Sequence, residues 1–295
     1  MTARDNNGKR CGKSSGSVML AALVSVVIAS MLAVAAAAML RAQLARASQL
    51  EAKSRATREA VSRIAAFAEE AILCDSNSFD SVDERWRNPG KEENETVILV
   101  PEFPDIDDAI CTDEESRIPL NGETKAPLAA LMAAMTGKPQ SWCVNAAAEI
   151  AALRPLPRRE FAMLAPSIGQ EEYRAIAPYV TAAPTDTVNI NTASRPVLEA
   201  MFAVAGRFGT GAPKTLARKL LDFRASGGRL ESLDSASVDS ALGGLNQEEM
   251  EILLAASGFI SVKSRHFSGA SQCGGTRVVY TIDRDTGGFA RIAVR

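Results

Sequence analysis

The N-terminal part of the chain divides into three stretches by its pattern of apolar and polar side chains. Residues 1–16 are polar and basic, residues 17–40 are apolar without a charged side chain, and residues 41–74 place apolar side chains at helical spacing among charged ones. The apolar stretch is about long enough to cross a bilayer as a helix, at about 1.5 Å per residue. No Gly or Pro interrupts the two later stretches. We therefore expect one helix from Ser17 to about Cys74.

The second half of this predicted helix is amphipathic, so it should lay one apolar stripe on a folded domain. The stripe consists of Leu50, Val61, Ile64, Ala68 and Ile72.

A cleaved secretory signal is the alternative interpretation of the apolar run. The small residues "AVAAAA" at 33–38 offer cleavage sites, but a signal of this kind normally has an apolar core of about 7 to 15 residues. We favour a single membrane pass over 17–40 with the N-terminus in the cytoplasm, because long C-terminal domains are translocated largely regardless of the flanking charge.

The rest of the chain reads as an α+β domain with an inserted helical part. Residues 75–119 and 258–295 contain the strand signals, whereas 120–257 carries short helical patterns punctuated by proline. Three C-terminal strands are expected, and Val278, Tyr280 and Ile282 alternate with polar neighbours along the second one. One face of a small antiparallel sheet should therefore pack against the N-terminal helix.

These strands are expected at Gly258–Phe267, Thr276–Asp285 and Gly288–Arg295, and a further short strand is expected at Thr96–Val100.

Composition argues against an enzyme. The 295 residues have a formal net charge of -2, and the single histidine, His266, leaves little for imidazole catalysis or multi-histidine metal sites. No phosphate loop or HExxH helix is present in the sequence. We expect His266 to be a surface or edge residue.

The cysteines allow two interpretations. None of the five lies in a CxxC pair, and loss of residues 1–16 would remove Cys11 and leave Cys74, Cys111, Cys143 and Cys273. Four cysteines in a translocated domain are typical of two disulfides in an oxidising compartment, with the connectivity open. Buried free thiols are the alternative.

An acidic stretch precedes the helical part and holds six candidate oxygen ligands for calcium: Asp105, Asp107, Asp108, Asp113, Glu114 and Glu115. The stretch lacks EF-hand spacing, and a solvated acidic loop is the favoured alternative. No cofactor is otherwise expected.

The basic leader that ends at Gly16 directly before the hydrophobic helix resembles the class III signal of type IV pilins and pseudopilins. This resemblance implies that a prepilin peptidase cuts after Gly16, and that Ser17 becomes the new, methylated N-terminus. Most pilins carry a glutamate five residues after the cut. This chain has Ala21 there, which resembles the K minor pseudopilins of type II secretion systems.

Three further motifs resemble the same subfamily: "DEESRIPLN" at 113–121, "VNINTAS" at 188–194 and "SVKSRHF" at 261–267. The resemblance implies a non-catalytic subunit of the inner membrane with a periplasmic domain. It would initiate or cap a pseudopilus at its tip for the export of folded proteins across the outer membrane. Its expected partners are the other minor pseudopilins, the major pseudopilin, the prepilin peptidase and the inner-membrane secretion platform.

A DNA-binding interpretation competes with it. "VNINTAS" also opens the helix-hairpin-helix modules of competence-type DNA receptors, and residues 185–224 fit such a hairpin with its turn at Gly209, Thr210 and Gly211. Lys214, Arg218 and Lys219 lie on the second helix, where they could reach phosphate. We favour a shared hairpin fold in a protein-binding role.

Overall fold

The computed structural model describes residues 15–69, 72, 79–80, 111–205, 211–273 and 276–294. Backbone contacts divide the chain into two units, Met1–Ala56 and Thr57–Arg295. The strand expected at Thr96–Val100 and the polar loop before it lie outside the described residues.

The N-terminal helix is long and continuous. Helix α1 comprises Ser15–Ala68, and Glu69 and Ile72 follow in π-helical backbone, so regular α-helix ends six residues before the predicted end at Cys74. Ser25 and Ser30 donate their hydroxyls to the carbonyl oxygens of Ala21 and Val26, at 2.9 and 2.8 Å. These bonds satisfy the two hydroxyls within an otherwise apolar helix.

Within the second unit, four strands form an antiparallel sheet in the order β1-β6-β7-β8. Their bounds are β1 Thr112–Asp113, β6 His266–Cys273, β7 Thr276–Asp283 and β8 Gly288–Val294. The predicted alternation along β7 is confirmed, because Val278, Tyr280 and Ile282 are all buried. A turn with Gly287 at φ 64° joins β7 to β8, and glycine adopts this left-handed backbone at low cost.

The C-terminal end of α1 packs on one face of this sheet. Ala60, Ile64 and Ala68 recur every four residues on one helix face, and they join a buried cluster with Phe267 and Tyr280. Ile72 belongs to the same cluster, as expected, and Val61 packs partly buried against it. The prediction for Leu50 is wrong: its side chain is 68% exposed, because the stripe begins later in the helix.

The remaining helices form a separate hydrophobic core whose members run from Ile118 to Ile260. They are α2 Lys125–Thr136, α3 Gln140–Ala152, α4 Gln170–Ile176, α5 Arg195–Ala205, α6 Ala212–Ala225, α7 Ser235–Ala241 and α8 Gln247–Ala256. The chain thus has an α+β fold with a pilin-like helix and sheet and a large helical insertion.

Two short parallel strand pairs lie where the chain enters and leaves the helical core. Strand β2, Ile118–Pro119, pairs with β3, Val180–Thr181, and β4, Val188–Asn189, pairs with β5, Ile260–Ser261. The prediction of a single strand at 258–267 is therefore wrong. Its first part is β5, which pairs within the insertion, and its end is the start of β6 in the main sheet.

Candidate functional site

The first half of α1 is an exposed apolar surface. Every residue from Ser17 to Leu40 is exposed, and α1 contains a span apolar and long enough to cross a membrane, with a mean hydropathy of 2.7. Burial of large apolar side chains normally stabilises a chain by about 1.5–3 kcal/mol each, so this helix lacks its natural surroundings within the described residues. Length and composition fit a bilayer or the packed helices of an assembly.

The expected processing site lies at the beginning of this helix. Gly16 and Ser17 are the second and third residues of α1, and cleavage between them stays a prediction. Ala21 is exposed, and the first acidic residue of α1 is Glu51. The N-terminal half of the helix therefore offers no carboxylate to a neighbouring ammonium group.

A second site lies inside the folded unit, where the sheet meets the helical insertion. Three consecutive carboxylates, Asp113, Glu114 and Glu115, are exposed by only 1%, 8% and 1%. Burial of charged groups is costly unless hydrogen bonds or counter-charges compensate for the lost water. Each of the three has its own set of partners, and together they form what we call the polar junction.

Asp113, the first residue of the motif at 113–121, connects that motif to the other two that carried the family resemblance. Its Oδ2 atom accepts hydrogen bonds from Thr192 Oγ1 at 2.5 Å and from Ser264 Oγ at 2.7 Å, and its Oδ1 accepts one from the Glu115 amide at 2.7 Å. These donors are all neutral. Burial therefore raises the pKa of Asp113 to about 7, against the opposing effect of the hydrogen bonds and with a smaller contribution from the nearby Glu115.

Glu114 and Glu115 extend the junction in two directions. Glu114 accepts hydrogen bonds from Thr181 and Ser268 and forms an ion pair with Arg117 at 3.1 Å. Glu115 Oε1 accepts a hydrogen bond from the Arg265 amide at 2.9 Å.

His266 is part of the same network, since its Nδ1 atom lies 3.3 Å from Glu115 Oε1. The expectation that His266 is a surface or edge residue is therefore wrong: it is only 2% exposed. A single histidine in an otherwise polar segment gave no local signal of this burial.

An ion pair that the sequence did not indicate completes the junction. Arg284 donates to both carboxylate oxygens of Asp80, at 2.8 and 2.6 Å, and its guanidinium lies 4.8 Å from the centre of the Phe267 ring. Asp80 Oδ2 also accepts the Ser264 amide at 2.5 Å, so the same serine connects Asp80 to Asp113. Two-pronged pairing of this kind is the strong form of an arginine–carboxylate contact.

The asparagines of "VNINTAS" are structural. Asn189 donates to Ser264 Oγ at 2.8 Å, and the Asn191 side chain exchanges two hydrogen bonds with the Leu230 backbone, at 2.8 and 3.0 Å. The Thr192 hydroxyl donates to Asp113. The motif therefore fixes the insertion to the sheet.

The three described calcium candidates are occupied by these contacts. Asp113, Glu114 and Glu115 point to different partners, and within the described part of the chain no group of three or more metal-ligating side chains converges. Asp105, Asp107 and Asp108 lie outside the described residues. Calcium binding stays a prediction, which calorimetric titration of the purified protein with calcium would check.

The described cysteines lie in different surroundings. Cys111 is buried in the cluster under α1, and Cys143 is buried in the core of the helical insertion; both are free thiols. Burial raises the pKa of the Cys111 thiol well above its ordinary value. Cys273 is half-buried and Cys74 lies outside the described residues, so the disulfide hypothesis stays a prediction.

The hairpin that suggested DNA binding holds one of its three candidate cations in an internal ion pair. Lys219 Nζ lies 2.7 Å from Glu249 Oε2, and the Glu249 side chain is only 1% exposed. Lys214 and Arg218 are exposed on α6. Gly211 precedes α6, whereas Gly209 and Thr210 lie outside the described residues.

The second hairpin, between α7 and α8, presents acidic side chains. Gly243 and Gly244 turn there with φ of 72° and 91°, and Asn246 and Glu249 form a reciprocal cap on the first turn of α8. Glu248 lies in the same turn. A carboxylate already occupies this helix N-terminus, so it does not favour a phosphate.

Comparison with solved structures finds a chain of the same architecture. The match is to the crystal structure of the GspK-GspI-GspJ complex from the type 2 secretion system of enterotoxigenic Escherichia coli, with a TM-score of 0.59. It covers 84% of this chain and 97% of that chain, at 14% sequence identity. The chain has the pilin-like α+β fold of that neighbour. No protein-family model and no curated protein matches the sequence.

Proposed function

We propose that this chain is a minor pseudopilin of a type II secretion system. The observation that carries the proposal is the combination of an exposed apolar helix, its continuation onto an antiparallel sheet, and a large helical insertion. A tethered enzyme has no need for one helix that serves two different surroundings, whereas an assembling subunit does. The solved neighbour, from a complex of secretion components, supports the proposal across 97% of its own chain.

In this proposal the subunit is anchored in the inner membrane by residues 17–40, with its folded unit in the periplasm. Its partners would be other minor pseudopilins and the major pseudopilin, together with the prepilin peptidase and the inner-membrane platform. The assembled pseudopilus would help to push folded proteins across the outer membrane. The role is structural, and no catalytic group is part of it.

N-terminal processing tests the assignment. The full chain is produced in bacterial membranes with and without a prepilin peptidase, and its mass and N-terminal sequence are measured. We expect loss of residues 1–16 and a methylated Ser17 only when the peptidase is present. Gly16→Leu should block the cut, whereas Gly12→Leu, four residues earlier, should not. An uncut chain, or cleavage within 33–38, would contradict the proposal.

Placement at the tip is a further part of the proposal and rests on Ala21. A lone ammonium group is costly to bury in an apolar helix bundle, so a subunit that follows another needs a carboxylate to neutralise its predecessor's N-terminus. A subunit with nothing ahead of it needs none. The bulk of the helical insertion would also hinder the addition of another subunit above it.

Position along the filament can be measured by immunogold labelling of pseudopili. The wild-type chain should be found at one end of each filament. Ala21→Glu should allow labelling along the shaft, whereas Ala22→Glu, with the same charge one residue away, should not. Labelling of the wild-type chain along the shaft would contradict tip placement.

A further inference from the structure

The part of α1 that directly follows the apolar run is basic. Arg41 and Arg46 are the only charged residues between positions 17 and 50, and both are exposed. The first carboxylate of α1 is Glu51. This stretch differs from the whole chain, which has a formal net charge of -2.

The sequence around these two arginines offers them no carboxylate. Further along the helix, Arg55 pairs with Glu51, four residues before it, at 3.4 Å. The residues four positions before Arg41 and Arg46 are alanines, and no Asp or Glu lies within four residues of either. Because side chains on a helix meet at spacings of three and four residues, neither arginine has an ion-pair partner within α1.

Both arginines lie close to a membrane surface when residues 17–40 span a bilayer. At about 1.5 Å per residue, their Cα atoms lie about 1.5 and 9 Å beyond Leu40 along the helix axis. The headgroup layer on each side of a bilayer is about 5–8 Å thick. A long arginine side chain can bring its guanidinium into this layer while its apolar stem follows the helix.

We propose that Arg41 and Arg46 bind the headgroups of anionic phospholipids. A guanidinium group donates hydrogen bonds in a planar fork that fits the oxygens of a phosphate. A zwitterionic lipid carries its own cation beside the phosphate, whereas an anionic lipid has a net negative charge that an arginine without a carboxylate neutralises. The proposal rests on the membrane anchor in the proposed function, and it adds the class of lipid that the anchor selects.

An acidic protein surface offers similar chemistry, but the order of charges along α1 favours lipid. Both carboxylates of α1, Glu51 and Glu59, lie about 16 Å or more beyond Leu40, outside the headgroup layer. The part of the helix within the layer has cations alone. An anionic lipid surface would repel carboxylates there, whereas a protein contact would not require them to be absent from this part in particular.

Electron paramagnetic resonance of spin-labelled lipids tests the proposal on the full chain, reconstituted in phosphatidylcholine vesicles. Labelled phosphatidylglycerol and labelled phosphatidylcholine are compared, and the motionally restricted fraction of each gives their relative association constant. The basic leader would attract the same anionic lipid. Four leader cations are therefore replaced by glutamine in every sample: Arg4, Lys9, Arg10 and Lys13.

We expect about fivefold selectivity for phosphatidylglycerol, which should decline as salt is raised. Flotation of the vesicles measures membrane insertion separately. Equal association of the two lipids with protein that floats would overturn the proposal and leave the membrane anchor intact. Protein that does not float with the vesicles would contradict both the anchor and the lipid proposal.

Variants localise the binding. R41Q/R46Q should abolish most of the selectivity, whereas K53Q/R55Q should retain it. The second pair removes the same charge from the same helix, but about 20 Å or more beyond Leu40. Equal loss in both variants, or no loss in R41Q/R46Q, would show that the lipid is not bound at these arginines. Weaker co-purification of R41Q/R46Q with other minor pseudopilins, at unchanged lipid selectivity, would assign the arginines to a protein contact and contradict the proposal.

Discussion

The N-terminal half of α1 and the polar junction reverse the usual distribution of side chains in opposite ways. Residues 17–40 expose apolar side chains, whereas Asp113, Glu114 and Glu115 bury carboxylates. Each reversal requires compensating partners. Those of the junction belong to the same chain and are visible as hydrogen bonds, while those of the helix would be supplied, under the proposed function, by a membrane or by other subunits.

The two regions should therefore be stabilised at different stages. The junction is satisfied as soon as the folded unit forms, because Thr192, Ser264 and Arg284 belong to it. Under the proposed function, the helix surface is satisfied only on insertion or assembly. A change in the junction should therefore alter folding, and a change in residues 17–40 should alter membrane residence without altering the folded unit.

Removal of one partner from the buried ion pair should have the largest effect. Asp80→Ala leaves the Arg284 guanidinium, whose side chain is 8% exposed, without its carboxylate. We expect a loss of about 3–5 kcal/mol in the free energy of unfolding, measured by urea denaturation in micelles. Asp285, the residue after Arg284, forms an exposed ion pair with Arg265. Asp285→Ala removes this pair and should lower the free energy of unfolding by at most about 1 kcal/mol. Equal losses would show that the junction is not a special point of stability.

Introduction of a charge into the exposed apolar run should have the second-largest effect. Val27→Arg places a cation near the middle of residues 17–40, where membrane insertion should become less favourable by about 2.5–3.5 kcal/mol. We expect a smaller fraction of the protein in the membrane after alkaline extraction, with unchanged urea unfolding of the folded unit. Ala52→Arg, beyond the run, is the control. Unfolding of the second unit by Val27→Arg would erase the distinction between the two regions.

The junction should make stability depend on pH. The pKa of Asp113 is about 7 in the folded chain, against 3.8 for an ordinary aspartate. The folded state therefore holds more protons between these values, and stability should fall as pH rises from about 4 to 7. Linkage gives a loss of about 2 kcal/mol between pH 5 and 7.

Asp113→Asn should flatten this profile, as measured by urea unfolding at a series of pH values. Asp234 is a control whose pKa is shifted in the opposite direction, because hydrogen bonds from Ser232 and Ser237 lower it to about 2. Its contribution is present above pH 3.8 and is lost as pH falls toward 2. Asp234→Asn should therefore leave the profile between pH 5 and 7 unchanged. A wild-type profile that rises with pH in this window would contradict the assignment to Asp113.

Substitution of the lysines on α6, in the hairpin that suggested DNA binding, should have the smallest effect on the free energy of unfolding. Lys219→Met removes the cation beside the buried Glu249 carboxylate and should cost about 1–2 kcal/mol, whereas Lys214→Met, exposed on the same helix, should cost almost nothing. Neither change should alter the mobility of duplex DNA in a low-salt gel-shift assay. Retardation by the wild-type chain that Lys214→Met abolishes would instead favour the DNA-binding alternative.

Several elements were predictable because their signals are local. The alternation of Val278, Tyr280 and Ile282 predicted a half-buried strand, and the long apolar run predicted the N-terminal helix. The strand predicted at 258–267 failed because its two ends pair with different partners, β4 and β7. Leu50 matched the stripe by spacing alone, and spacing does not reveal where the folded unit begins.

The candidate site was less predictable. The sequence singled out Asp113, Glu114 and Glu115 only as candidate calcium ligands, with a solvated acidic loop as the favoured alternative, and their burial contradicts solvation of these three side chains. Apart from Arg117 and His266, their partners are hydroxyl groups and backbone amides, which are common along any chain and carry no distinctive spacing. Asp80 and Arg284, 204 residues apart, gave no signal at all.

The sequence by itself determined the apolar helix, the α+β class and the helical insertion, because length, composition and period act over neighbouring residues. Tertiary structure alone decided that Asp113 meets Thr192 and Ser264, which are 79 and 151 residues away along the chain. A polar side chain can be satisfied by water or by many alternative donors, so its partner is fixed only when packing excludes the water. An apolar run has no such alternatives, and its need for a nonaqueous environment is already present in the order of its residues.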